Sequence, residues 1–163
     1  GDAQGAKRAI WKLPRRNGWV GKLIPDWAFE SIKGVRASFA DYRGRWLIVV
    51  FFMTDSLPCQ RQLQVLNELL HSGELSQITV IAVSSEPMEK LKRFVQRHRL
   101  RTGEKFVIGR IEEVEQFHAH GITMFPLVLF VDDNGVVRIE WMGGAMNKVV
   151  AQKRILDALK RLQ

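Results

Sequence analysis

Runs of apolar residues and helical repeats follow one another along the middle of the chain. Two continuous apolar stretches, 46–52 (WLIVVFF) and 78–83 (ITVIAV), are typical of strands buried on both faces of a sheet. Between them, leucines recur at helical spacing over residues 63–70, and the helix is expected to end near Ser72-Gly73. A strand, a helix and a second strand in this order predict a parallel central portion of a sheet.

The flanking segments extend this unit at both ends. Before the first apolar run, the pattern predicts a hairpin that consists of a short strand within 21–34 and a strand at Val35–Phe39. After the second apolar run, it predicts a helix beginning near Pro87, a strand at 105–109, and a short helix that ends at Gly121 and has Ile111, Val114 and Phe117 on one face. Two strands around Asp133-Asn134-Gly135 and a helix at 146–162 are predicted to complete the chain. The predicted architecture is a mixed central β-sheet flanked by helices on both faces, with an N-terminal β-hairpin extension.

Length and composition indicate one globular domain. The chain has 163 residues, of which 46% are hydrophobic and 26% are charged. No apolar run approaches the roughly 20 residues that a membrane-spanning helix needs. Residues 1–20 lack a clear periodicity and are predicted to form a basic arm, whereas residues 21–163 are predicted to form the domain.

Positive charge dominates, with a formal net charge of +8. Basic residues concentrate in the arm, in residues 90–105 and in the last helix, and a solvated basic surface is the simplest interpretation. No zinc-ligand cluster or aromatic RNA-binding signature accompanies the charge, so a nucleic-acid partner is not expected. The basic arm is compatible with proximity to an anionic membrane surface.

The stretch TDSLPC, which follows the first apolar run, contains the only cysteine, Cys59. A single cysteine excludes an intramolecular disulfide and a cysteine-rich metal site. His118 and His120 are two residues apart, which would point them to different faces of a helix. We therefore expect neither a metal ion nor a cofactor.

Several landmarks of known redox proteins occur in a fixed order. They are the leader Gly21…Pro25-Asp26…Phe29, Gly44 before a strand ending at Phe51-Phe52, the segment Gly121-Ile122-Thr123-Met124-Phe125-Pro126, the Asp133-Asn134-Gly135 turn and the pair Gly143-Gly144. In this order they resemble the thioredoxin superfamily, and more closely its extracytoplasmic TlpA-type branch. The resemblance implies an α/β, thioredoxin-like fold and a cis-proline at Pro126.

The resemblance also places an active site at TDSLPC. Ser56 stands where the family carries its first, nucleophilic cysteine, and Cys59 matches the second, resolving cysteine. By the same resemblance Pro126 belongs to the site. The expected substrate groove contains four further residues, namely Asp55, Leu57, Pro58 and Phe125. A dithiol oxidoreductase needs both cysteines, so this chain is not expected to cycle between a dithiol and an intramolecular disulfide.

Three interpretations of Ser56 remain open. It is an engineered replacement of a cysteine, or a natural serine in a binding module whose groove near Pro126 holds a peptide, or a neighbour of a cysteine that acts alone. For the last case, S-L-P-C also resembles the T-x-x-C of peroxiredoxins, although Phe52 stands where they carry a proline. Without any redox role, Cys59 would be an inert buried thiol, and Ser56 or Asp55 would cap the helix.

The resemblance also leads to expectations about partners and location. It implies a protein or peptide partner, including one that contains cysteine, and a periplasmic or otherwise extracytoplasmic location. A membrane anchor in a longer precursor is part of the same expectation.

Overall fold

The computed structural model describes residues 18–162, so most of the predicted basic arm lies outside the described residues. The strands are β1 (Ala28–Ser31), β2 (Arg36–Ser38), β3 (Trp46–Phe51), β4 (Ile78–Ser84), β5 (Phe106–Ile111), β6 (Leu127–Val131) and β7 (Val137–Met142). The α-helices are α1 (Leu57–His71), α2 (Met88–Arg97), α3 (Val114–Ala119) and α4 (Lys148–Leu162), and a short 3-10 helix spans Phe39–Tyr42.

One seven-stranded mixed sheet, in the order β2-β1-β5-β4-β3-β6-β7, organises the domain. Strands β3, β4 and β5 pair in parallel at its centre, and β6 and β7 add antiparallel strands beside β3. The N-terminal hairpin joins the other side of the sheet through β1 and β5. The predicted mixed sheet with a hairpin extension is therefore confirmed.

The prediction for Ile111 is wrong. This residue was expected on the apolar face of a short helix, but it is the last residue of β5 and pairs with Phe29. The helix begins only at Val114. An apolar residue at the junction of two elements fits either periodicity, and here the pairing with β1 extends the strand.

Each face of the sheet carries its own hydrophobic cluster. Helices α1, α2 and α4 pack on one face, where they cover alternate residues of the central strands such as Ile48 and Val50. The N-terminal segment, the 3-10 helix and α3 cover the other face, where Val49 and Phe51 lie. Burial on both faces explains why β3 and β4 are continuous apolar runs.

The N-terminal segment is attached to the sheet before residue 21. Trp19, which falls in the stretch predicted to be the arm, is buried against Trp27 and Phe51. The Gly21 amide donates to the Val137 carbonyl oxygen at 2.8 Å. Within residues 18–162, the helices are too short or too polar to cross a membrane.

Candidate functional site

The candidate site lies in the loop that connects β3 to α1 and in the first turn of α1. Ser56 is the N-cap of α1, and its Oγ accepts a hydrogen bond from the Cys59 backbone amide at 3.3 Å. Pro58 lies in the first turn, where its missing amide hydrogen leaves no helical bond unmade. Asp55 does not cap the helix; its exposed carboxylate accepts a hydrogen bond from Lys90 Nζ at 3.1 Å.

The thiol of Cys59 is buried below this turn. Its residue is 0% exposed and belongs to the hydrophobic cluster under α1. Burial raises the pKa of the Cys59 thiol, and the nearby Glu86 charge acts in the same direction, while hydrogen bonds from Ser56 and the Met53 backbone only partly oppose them. The side chain is therefore a neutral thiol at physiological pH and is closed to solvent.

We expect Cys59 to resist alkylation in the folded protein. Because the thiol is buried and un-ionised, iodoacetamide should modify it on the order of 100-fold more slowly than it modifies glutathione at the same pH. Mass spectrometry of timed samples measures the rate, and the same protein in urea is the control for an accessible thiol. Modification in the native protein as fast as that of glutathione would contradict the buried placement.

A buried carboxylate holds the loop in front of Ser56. Glu86 is 6% exposed, and it accepts hydrogen bonds from the Thr54 amide at 2.7 Å, the Thr54 hydroxyl at 2.8 Å and the Ser84 hydroxyl at 3.0 Å. Lys90 Nζ completes the cluster at 3.0 Å from Glu86 Oε2. Burial by itself would raise the pKa of Glu86, but these hydrogen bonds outweigh it and the pKa is lowered.

The Glu86 cluster was not predicted from the sequence. Its signal was the polar stretch Ser84-Ser85-Glu86 directly after the second apolar run. In open α/β sheets, functional side chains gather at the carboxyl ends of parallel strands, and β3 and β4 are neighbouring parallel strands. The same rule would therefore have brought Glu86 next to Thr54.

The Pro126 loop and the Gly143-Gly144 pair meet the start of α1. The Phe125–Pro126 peptide bond is cis, and the Pro126 carbonyl oxygen accepts a hydrogen bond from the Gly143 amide at 2.8 Å. A side chain at Gly144 would bring its Cβ to 2.4 Å from Pro58 Cβ. Two consecutive glycines thus touch both the Pro126 loop and the first turn of α1, which places these segments side by side.

Exposed apolar side chains surround this junction. Leu57 is 66% exposed, Met124 is 56% exposed and Met146 is 81% exposed. Phe125 is half-buried and packs against both hydrophobic clusters. We call the surface formed by Ser56, Leu57, Met124 and Gly144 beside the buried Pro126 the Pro126 face.

The backbone beside the cis peptide bond is open for pairing. Within residues 18–162, the amide and carbonyl groups of Met124 and Phe125 make no backbone hydrogen bond. Strand β6 begins only after them, at Leu127. An extended chain could therefore pair with this stretch without displacing a strand of the sheet.

The sheet order, the loop between β3 and α1 and the cis Phe125–Pro126 bond together define a thioredoxin-like protein. The chain belongs to the AhpC/TSA family, whose profile matches residues 20–140. The resemblance to the thioredoxin superfamily in the sequence is thereby confirmed.

Known relatives are similar over most of this chain. The thiol-disulfide oxidoreductase ResA of Geobacillus kaustophilus is 29% identical over 142 residues, which cover 86% of this chain and 78% of ResA. Among solved structures, the thioredoxin domain of a thiol-disulfide oxidoreductase from Bacteroides vulgatus matches with a TM-score of 0.69 and 18% identity over 86% of this chain and 96% of that domain. A secreted disulfide oxidoreductase of Mycobacterium tuberculosis matches with a TM-score of 0.65 and 13% identity over 82% and 96% of the two chains.

Proposed function

We propose that this chain binds an extended polypeptide at the Pro126 face and does not cycle between a dithiol and a disulfide. The observation that supports this proposal most strongly concerns Ser56 and Cys59, the two positions at which the family carries its cysteines. Ser56 is the N-cap of α1, and its hydroxyl cannot form a disulfide. The Cys59 thiol is buried and its pKa is raised. In this proposal the chain has the fold of a thiol-disulfide oxidoreductase but binds its partner without thiol-disulfide exchange.

The Pro126 face suits an extended partner. The free backbone groups at Met124 and Phe125 can pair with another chain by β-strand addition, a mode that needs no thiol. The exposed side chains of Leu57 and Met124 then offer apolar contacts to alternate residues of that chain. The partner is therefore a polypeptide with apolar residues in an extended segment, with or without cysteine.

A peroxidase that uses Cys59 alone is the weaker candidate. Such an enzyme needs an accessible thiolate with a lowered pKa. Cys59 is 0% exposed and its pKa is raised, which is the reverse of both requirements. The same two facts apply whether Ser56 is natural or replaces a cysteine.

An extracytoplasmic location is part of the proposal. It is supported by the resemblance to TlpA-type proteins and by the secreted structural relative. The location is tested by expressing the full-length gene in its own host and fractionating the cells. Recovery of the protein only with cytoplasmic markers would contradict it.

Peptide binding tests the proposed function with a pair of glycine variants. The probe is a short, capped and fluorescently labelled peptide in which valine alternates with glutamine, and anisotropy reports its affinity. Gly144→Ala should weaken binding about 10-fold, because its Cβ would collide with Pro58 and displace one wall of the Pro126 face. Cys59→Ala should bind as the unaltered chain does.

Gly103→Ala is the matched control. A Cβ at Gly103 meets no atom within 4 Å, and this residue is distant from the Pro126 face in the pocket beneath the β1–β2 hairpin. Equal loss of affinity in both glycine variants, or no binding by the unaltered chain, would overturn the proposal.

A further inference from the structure

Helix α2 carries a concentration of positive charge next to the site. Its buried side, with Leu91 and Phe94, packs on the sheet, and its other residues include Lys90, Arg93 and Arg97. Cations at positions four apart on a helix repel one another, so Arg93 and Arg97 cost stability unless an anion lies between them. Both arginines are exposed, as on a solvated basic surface, and both also line a cavity beside the site.

The basic side chains line a cavity of about 270 Å³, which we call the α2 cleft. Its walls come from the loop before Ser56, from α1 and from α2. The lining residues are Thr54, Asp55, Gln60, Lys90, Arg93, Phe94, Arg97 and His98. Since Asp55 directly precedes Ser56, the α2 cleft and the Pro126 face share the loop at the start of α1.

The charges in the α2 cleft are unevenly matched. Lys90 is held between Asp55 at 3.1 Å and Glu86 at 3.0 Å. Arg93 and Arg97 have no ion pair among the described residues. The two guanidinium groups are therefore the unpaired charges of the α2 cleft, beside the ion-paired Asp55 and Lys90.

Two rings, those of Phe94 and His98, also line the α2 cleft. The Phe94 and His98 rings lie 4.7 Å apart, and His98 Nδ1 is 3.2 Å from Gln64 Nε2. Burial, aided by the Arg97 charge, lowers the pKa of His98, so the ring is neutral at physiological pH. A ligand here needs an anionic group for the arginines and a short aliphatic stem for the rings, as a glutamate or aspartate side chain provides.

We propose that the α2 cleft binds acidic side chains of the same polypeptide that occupies the Pro126 face. The inference rests on the proposed function and adds the charge of the partner to it. Guanidinium groups pair with carboxylates in a bidentate geometry, and a net charge of +8 attracts an acidic chain before contact. The partner segment thus combines apolar residues over Leu57 and Met124 with acidic residues that reach Arg93 and Arg97.

The test uses the valine–glutamine peptide extended, at either end, by a tail of glutamate, glutamine or lysine. The glutamate tail should raise the affinity about 10-fold over the glutamine tail, and the lysine tail should lower it. Raising the salt concentration from about 50 to about 300 mM should remove most of the gain from the glutamate tail.

Charge reversal locates the effect. The double substitution Arg93→Glu and Arg97→Glu should abolish the gain from the glutamate tail and leave binding of the glutamine-tailed peptide unchanged. Lys153→Glu with Lys160→Glu is the matched control, because it reverses two exposed charges on α4 and changes the net charge equally. Arg93→Gln with Arg97→Gln, checked for a native circular dichroism spectrum, separates loss of the cations from a folding defect.

The possible results discriminate between the two proposals. Equal affinity for glutamate and glutamine tails overturns the α2 cleft inference and leaves the proposed function standing. Absence of binding by every peptide overturns both. An equal loss of the glutamate gain in the α4 control shows a general charge effect and overturns the inference. If inorganic phosphate at constant ionic strength binds the α2 cleft more tightly than the glutamate tail, the ligand is a small anion and the polypeptide assignment is wrong.

Discussion

Replacing Ser56 with cysteine should convert the chain into one that forms an intramolecular disulfide. The hydroxyl of Ser56 already accepts a hydrogen bond from the Cys59 amide, so a thiol at this position would lie beside the first turn that holds Cys59. Thiols three residues apart at a helix start are within reach of one another after small adjustments. The helix N-terminus also favours a thiolate there.

Loss of free thiols on oxidation and reduction of insulin disulfides are the two measurements that test Ser56→Cys. Mild oxidation should remove both free thiols, and reduction of insulin disulfides should rise from background by about 100-fold or more. Ser56→Ala is the control; it should gain no activity and lose about 1 kcal/mol of stability with the N-cap. A natively folded Ser56→Cys protein that keeps two free thiols after oxidation would show that this site lacks the geometry of a dithiol centre.

Removing the Glu86 carboxylate should cost the largest share of stability of any single polar change at the site. Glu86→Ala leaves the Thr54 amide, the Thr54 hydroxyl and the Ser84 hydroxyl without their acceptor in a buried place. Unsatisfied buried donors are expensive, so the free energy of unfolding should fall by about 2–4 kcal/mol. Urea unfolding followed by circular dichroism measures the change.

The Glu86 contribution should also depend on pH. The pKa of Glu86 in the folded protein lies below its ordinary value of 4.5, so ionised Glu86 stabilises the fold above about pH 4.5, and this stability is lost as the pH falls through the folded pKa. Glu86→Gln should therefore be less stable than the unaltered chain at neutral pH, and the difference should shrink below pH 4.5. Glu89→Gln, which removes an exposed carboxylate in the first turn of α2 three residues further along the chain, is the matched control. An unchanged difference at low pH would contradict this role.

The fold was predictable because the central strands have a sequence pattern that few other structures share. Strands β3 and β4 are buried on both faces, and such strands are visible as unbroken apolar runs. The turn at Asp133-Asn134-Gly135 and the helix stop at Ser72-Gly73 carry their own local signals. Ile111 was assigned to the wrong element because nothing local distinguishes the last residue of a strand from the first of a helix.

The site was only partly predictable, since its supporting contacts join distant parts of the chain. The order of motifs led to Ser56, Cys59 and Pro126 through a family resemblance. Thr54 and Glu86 are 32 residues apart in sequence, and only the parallel pairing of β3 with β4 brings them together. Likewise, serine and aspartate both favour the N-cap, and the structure alone determines that Ser56 is the cap while Asp55 pairs with Lys90.

The most direct test of polypeptide binding without a reactive thiol is a map of amide chemical shifts in the Cys59→Ala protein. Titration with the valine–glutamine peptide should give saturable shifts at the residues of the Pro126 face, above all at Met124 and Gly144. Since no cysteine is present in that protein, such shifts would show binding that is independent of sulfur. Shifts confined to the cavity beneath the β1–β2 hairpin, near Val35 and Tyr42, or no saturable shifts at all, would contradict the assignment of the Pro126 face as the binding site.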